Sequence, residues 1–245
     1  MILLLGDIHG NFNFVKSQIT QKNISDCTII QVGDFGIGFT YLENDEKTLM
    51  NLNDFLKGVN VNLIAIRGNH DNPVFFSGKY EFSNLRLLPD YSTINLEGYN
   101  FLFIGGAISI DRTERVKENN SNIKYGSRRR CYWDNEGIIY KPEITKTIKD
   151  IDFVVTHTAP DWCEPNNKLG FGSFVESWSK YDSKLLSDLT LERNQMTNIF
   201  LDLYDNNRIK KHFYGHFHKS YLNNHNGVDH HLLDINEFYT LNMDR

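Results

Sequence analysis

Three times in its first third the chain runs through a short apolar stretch and stops at a glycine beside a residue able to bind a metal ion. Ile2–Leu5 leads into Gly6-Asp7-Ile8-His9-Gly10, residues 28–32 into Gly33-Asp34-Phe35-Gly36, and residues 61–66 into Arg67-Gly68-Asn69-His70-Asp71. The intervening segments carry helical spacing, with Phe14, Val15 and Ile19 after the first run and Leu49, Leu52, Phe55 and Leu56 after the second. Strand, turn and helix in alternation argue for parallel strands in an α/β core, whose ligand sites lie beyond the carboxyl ends of the strands. The glycine-polar segments fall at those ends.

After Pro73 the rhythm changes to short strands with few helices. Strands are expected at 85–88, 92–96 and 99–104, the last two joined by a turn at Glu97 and Gly98, so a second sheet is implied. Residues 110–141 are polar and read as an irregular loop; 143–149 suit a short helix. The run 153–156 delivers Thr156-His157-Thr158-Ala159-Pro160, residues 161–181 read as a second long loop, and 185–204 as a helix. Strands near 212–214, 220–223, 231–235 and 238–242 close the chain, with Gly215-His216-Phe217-His218 between the first two.

A length of 245 residues fits one domain spanning 1–245, in which 110–141 is the expected specificity loop. A hydrophobic fraction of 40% with 23% charged residues is that of a soluble globular protein, and a net charge of -5 argues against binding long nucleic acid. The three cysteines are odd in number and show no CxxC spacing, so neither a disulfide framework nor a zinc knuckle is expected. The opening apolar run is too short, and lacks the basic flank, for a signal peptide; no stretch is long enough to span a membrane. These features predict a cytoplasmic location.

The strand-end residues read together as one dinuclear metal site. Asp7 and His9 are separated by one residue, as are His216 and His218, and in extended backbone each pair would project to one side. A carboxylate such as Asp34 has two oxygens and can bridge two cations roughly 3.5 to 4 Å apart. Asn69 offers a carbonyl oxygen and His157 an imidazole nitrogen. Oxygen and nitrogen donors without a thiolate suit two divalent ions, manganese foremost, with iron or zinc as alternatives. Two divalent cations outweigh two carboxylates and one hydroxide, so the site favours an anion. A phosphate ester fits, attacked by a metal-bridging hydroxide, with Asp34 and His70 catalytic. His70, next to Asn69, is the expected general acid for the leaving group.

The ordered set of Gly-Asp-Ile-His-Gly, Gly-Asp-Phe-Gly, Gly-Asn-His-Asp, Thr-His and Gly-His-Phe-His resembles the calcineurin-like metallophosphoesterase superfamily. The resemblance runs from position 6 to position 218. It implies an α/β fold, a two-sheet β-sandwich flanked by helices, in which Asp7, His9, Asp34 and His218 hold one metal and Asp34, Asn69, His157 and His216 the other. The second motif lacks the arginine that protein phosphatases and dinucleoside tetraphosphatases of that superfamily carry, which disfavours both. Some members keep the sandwich as a non-catalytic interaction module after losing ligands; here every ligand type remains.

The resulting expectation is a phosphodiesterase acting on nucleotide-type small substrates, with a broad phosphomonoesterase next and a protein phosphatase behind it. Candidate substrate contacts are Arg112, Arg128 and Arg129 in the basic and aromatic loop, with Arg115 beside them. Trp133, Trp162 and Trp178 are either core or a stacking surface for a base. His212, His225, His230 and His231 belong to no motif and are assigned structural or surface positions, and the cysteines no site. The sequence does not specify an oligomeric state.

Overall fold

The computed structural model describes residues 1–165 and 173–242. In chain order the first half contains β1 (Ile2–Leu5), α1 (Phe12–Gln21), β2 (Cys27–Gln31), α2 (Leu42–Gly58), β3 (Val61–Ala65), a 3₁₀ turn at Pro73–Phe76, β4 (Leu85–Leu87), β5 (Ser92–Leu96) and β6 (Tyr99–Ile104). The second half contains α3 (Arg112–Lys124), α4 (Pro142–Thr145), β7 (Phe153–Thr156), α5 (Ser173–Ser179), α6 (Leu185–Tyr204), β8 (Lys211–Tyr214), β9 (Tyr221–His225), β10 (Val228–Leu232) and β11 (Phe238–Leu241).

The strands form two sheets, ordered β11-β1-β2-β3-β4 and β5-β6-β7-β8-β10-β9. β1 to β4 run parallel, as do β6, β7, β8 and β10, and the antiparallel pairings are confined to the outer strands β11, β5 and β9. Alternation along each strand builds four layers. Ile2 and Leu4 of β1 face Phe101, Phe103 and Phe153 across the sandwich, whereas Leu3 and Leu5 face α1 and α2 through Val15, Ile19, Leu49 and Leu52. On the far side Leu102 and Val154 pack against Met196, Ile199 and Phe200 of α6. The expected two-sheet sandwich flanked by helices is the observed architecture. Because the strands bearing Asp7, Asp34, Asn69, His157 and His216 are parallel within each sheet, their carboxyl ends can meet at one edge.

Two expectations about local structure are corrected. The segment 110–141 is not wholly irregular, since α3 occupies 112–124. This helix has no buried residue, so it carries no apolar stripe for sequence periodicity to detect. It is fastened by polar contacts: Asn119 bonds the Cys131 N–H and the Tyr132 carbonyl, and Arg112 binds two carboxylates. The expected loop at 161–181 likewise contains α5, while residues 166–172 lie outside the described residues.

The strand expected at 231–235 is displaced to Val228–Leu232. Its start is fixed by a two-residue turn, Asn226-Gly227, with φ of 52° and 79°. Left-handed values at both positions suit an Asn-Gly hairpin turn, a signal present in the sequence. The turn expected at Glu97-Gly98 has the same signature, with φ of 52° and 88°.

Candidate metal centre

The five motifs converge at the carboxyl ends of β1, β2, β3, β7 and β8. They do so through sharp turns, so the extended-backbone condition under which Asp7 and His9, or His216 and His218, would project to one side is not met. His9, Asp34, His216 and His218 have φ of 44°, 54°, 70° and 49°. Non-glycine residues seldom occupy this region, and such backbone strain clusters at functional sites. The consequence is steep redirection of the side chains just past each strand. Glycines provide the clearance: a Cβ on Gly68 would lie 2.0 Å from Asp34 Oδ1, and one on Gly215 would lie 2.1 Å from Asp7 Oδ1. Asn11 caps α1 by accepting the Phe14 N–H, so Asp7 has no capping role and instead accepts the His216 N–H.

The donors form two groups that share Asp34. In one, Asp7, His9, Asp34 and His218 each place a ligand atom within 4.8 Å of the others; in the second, Asp34, His157 and His216 do so. Asp34 Oδ2 lies 3.7 Å from His9 Nδ1, and Asp34 Oδ1 lies 3.2 Å from His157 Nε2. Asn69 joins the second group, with Oδ1 3.2 Å from His157 Nε2 and its amide N–H donated to Ser109 Oγ at 2.9 Å. The two aspartates are buried, as are His157, His216 and Asn69. His9 and His218 stand at the solvent edge, with Nε2 atoms 3.1 Å apart.

The donor chemistry fits cations. His157 Nδ1 faces the Val32 carbonyl at 2.9 Å, which can only accept, so Nδ1 carries the hydrogen. His157 Nε2 therefore points at Asp34 Oδ1 and Asn69 Oδ1, two further acceptors. Such a convergence calls for a positive charge among them. Without a metal that charge must be a proton: burial opposes it, but Asp34 and Asp7 outweigh burial and raise His157 to about 9. A metal ion would replace that proton and use the same lone pair.

Several site residues were not singled out by sequence. Asp71, the last residue of the third motif, accepts the backbone N–H groups of Phe35, Gly36, Ile37 and Gly68 at 2.7 to 3.1 Å. It ties the turn holding Asp34 to the turn holding Asn69. Gln31 bonds the Gly6 and Gly33 backbones and so joins the first motif to the second. A buried glutamine ending an apolar strand was the available signal for that role.

Above the donors opens a cavity of about 390 Å³, walled by Ile110, Asp111, Arg115, Phe174 and Trp178. His70 borders it, its backbone N–H bonded to Asp34 Oδ1 at 2.8 Å and its Nε2 3.2 Å from Arg115 Nη2. The basic residues expected at substrate are only partly there. Arg112 is turned away, held by Asp182 and Asp188 at 2.5 and 2.7 Å, because two carboxylates compete for it. Arg128 and Arg129 are exposed and do not line the cavity. Arg115, one helical turn beyond Arg112 and named beside it from the sequence, lines the cavity. Of the three tryptophans, Trp178 lines the cavity, Trp162 stacks on His225, and Trp133 meets Phe39 edge-on.

A third convergence, Cys163, His212 and His230, lies in the core. His212 and His230 are hydrogen-bonded at 2.9 Å, and the buried Arg193 guanidinium bonds the Cys163 carbonyl, placing a positive charge beside the group. The structural role expected for these histidines suits this arrangement better than a cation would.

The fold and this donor set define a metal-dependent hydrolase of phosphate esters. The chain belongs to the calcineurin-like phosphoesterase family, whose model matches residues 1–220. Its members use paired divalent metals. No curated protein sequence matches the chain. Among solved structures, a dimetal phosphatase from Danio rerio has a similar fold, with TM-score 0.50 and 11% identity over 96% of this chain and 87% of its own. Phosphopantetheinyl hydrolase from Mycobacterium tuberculosis gives TM-score 0.44 and 12% identity over 96% and 89%. An anchor protein of the inner membrane complex of Plasmodium gives 0.46 and 16% over 95% and 70%. No helix among the described residues is long and apolar enough to cross a membrane.

Proposed function

We propose that this enzyme is a phosphodiesterase acting on small, nucleotide-type substrates, with two divalent ions, manganese by preference, held on either side of Asp34. The observation that carries the dinuclear reading is the division of the Asp34 carboxylate, one oxygen toward His9 and the other toward His157. In this reading Asp7, His9 and His218 complete one position, and Asn69, His157 and His216 the other. When bound, the two ions neutralise the phosphate and activate a water as nucleophile.

The chain's own residues then bind and orient the ester. Arg115, paired with Asp111 through Nε, presents its remaining guanidinium hydrogens beside the proposed ligands as donors for a phosphate oxygen. Trp178 and Phe174 offer flat apolar walls on which a base could stack, and the cavity volume lies at the small end of the range for small-molecule sites. Burial, with smaller opposing and reinforcing effects from Asp34 and Arg115, lowers His70 to about 4, so its ring is neutral before substrate binds. An anionic substrate that draws Arg115 onto itself leaves the His70 Nε2 lone pair free, and a proton released by the attacking water can pass through it to the leaving oxygen. The segment 110–141, through Asp111 and Arg115, sets specificity in this reading. Free cysteines and the composition support a cytoplasmic enzyme.

The test is a manganese-reconstituted comparison of bis(p-nitrophenyl) phosphate, cyclic nucleotides and p-nitrophenyl phosphate, with bound metal counted in parallel. Two ions per chain and a higher kcat/KM on the diesters support the proposal. A clear preference for the monoester moves the assignment to a phosphomonoesterase. Retention of two ions by the Asp34→Asn variant removes the shared-carboxylate reading.

A further inference from the structure

Asn69 is the one amide among the proposed ligands, and its donor atom depends on which way the side chain is turned. An asparagine amide is nearly symmetric in shape, yet only its oxygen has a lone pair for a cation; reversed, it presents an NH₂ group and repels one. Within the site nothing distinguishes the two orientations unless a partner outside it does. Ser109 is that partner, accepting the Asn69 amide N–H at Oγ across 2.9 Å.

A serine alone does not settle the matter, because its hydroxyl can either donate or accept. Its polarity is set one step further out. Glu136 takes both Ser109 hydrogens: the backbone N–H at Oε1 and the hydroxyl at Oε2, each at 2.7 Å. With the hydroxyl hydrogen committed to the carboxylate, Ser109 Oγ faces Asn69 as a lone pair. Asn69 must then donate to it, and Oδ1 is left toward His157 and Asp34. All three side chains of this chain are buried, so no solvent competes for the hydrogens.

The backbone around that glutamate is held by the same motif that bears Asn69. Arg67, two residues before Asn69, donates to the carbonyls of Asn135, Glu136 and Gly137 and is charge-paired with Asp90 at 2.7 Å. The segment carrying Glu136 therefore moves with the motif it serves. Glu136 touches neither the cavity nor a proposed ligand directly.

We propose that Glu136 is a positioning residue that, acting through Ser109, selects the amide orientation of Asn69 and thereby completes the metal position shared by His157 and His216. This rests on Asn69 being a ligand, as in the function proposed above. A neutral carboxamide at 136 would donate to Ser109 Oγ, free the hydroxyl hydrogen toward Asn69, and favour the reversed amide.

The test is titration of metal-free protein with Mn²⁺, following both binding steps, for the wild type and for Glu136→Gln, Ser109→Ala and Asn69→Asp. In Glu136→Gln one of the two steps is expected to weaken by about 10- to 100-fold, the range typical of lost outer partners, while the other step is unchanged. Ser109→Ala is expected to weaken the same step. Asp at 69 has two equivalent oxygens and needs no selection, so in the Asn69→Asp background the Glu136→Gln change should cost nothing further. Unaltered affinity in Glu136→Gln overturns the proposal, as does an equal loss in the Asn69→Asp background, which would mark a packing effect. Failure of the wild type to bind two ions instead overturns the dinuclear reading, so the two failures are distinguishable.

Discussion

Arg115 reaches His70 across the mouth of the metal centre, with Nη2 3.2 Å from Nε2. A guanidinium can only donate, so His70 accepts on that nitrogen and is neutral in this arrangement. Asp111 holds the same arginine from behind at 2.6 Å, and the Cys131 carbonyl accepts from Nη1 at 3.3 Å. The guanidinium is thus steered, yet His70 gives it no counter-charge at the cavity. An incoming phosphate would be the stronger partner.

Replacing Arg115 by alanine is therefore expected to reduce kcat/KM on a diester by about 10- to 100-fold, the equivalent of one charge-assisted hydrogen bond. Arg112→Ala should lower the melting temperature, because Asp182 and Asp188 lose their shared cation, and leave KM unchanged. Arg128→Ala and Arg129→Ala should alter neither. Steady-state kinetics and thermal melts on the four variants check this ordering; a KM effect at Arg128 or Arg129 as large as that at Arg115 would contradict it.

The contrast among these arginines shows where sequence stops being informative. The strands were legible because buried parallel strands are continuous apolar runs, and the donors were legible because each sits directly after one. α3 was not legible, since its thirteen residues bury no side chain and owe their place to hydrogen bonds with distant segments. Which arginine faces the cavity then depends on helical phase: Arg112 points to Asp182, just before α6, and to Asp188 in its first turn, and Arg115, three residues on, points to His70. A set of basic residues in a polar stretch carries no record of that choice. The left-handed turns at His9, Asp34, His216 and His218 were hidden for a related reason, because spacing alone fits both extended and turned backbone.

Asp71 makes a prediction about stability that is separate from chemistry. Its carboxylate collects four backbone N–H groups from two different turns. In Asp71→Ala those donors are buried without an acceptor, which is expected to cost about 3 kcal/mol or more and to lower the melting temperature by about 10 °C in a protein of this size. Asp71→Asn keeps one acceptor oxygen but turns an NH₂ group against other donors, so it should also destabilise. Calorimetry of metal-free protein reads this directly. A melting temperature within a degree or so of wild type for both variants would show that the two turns are held by something else.

A buried carboxyl group gives the fold a pH dependence of unusual sign. Burial raises Glu192 to about 7 in the absence of metal, against an ordinary glutamate value of 4.5. Glu192 accepts the Ile108 N–H at 2.6 Å and the Thr158 hydroxyl at 3.0 Å, which do not fully offset its loss of water. Between roughly pH 4.5 and pH 7 the folded chain holds a proton on Glu192 that the unfolded chain has released, so stability falls as pH rises through that window. A depressed carboxylate would give the opposite slope. Urea unfolding of metal-free protein at stepped pH should show a declining midpoint across the window, and Glu192→Gln, which has no proton to lose, should flatten that decline between about pH 4.5 and 7. A rising midpoint in the wild type, or an identical slope in Glu192→Gln, would mean that Glu192 is ionised in the fold and satisfied by its two donors.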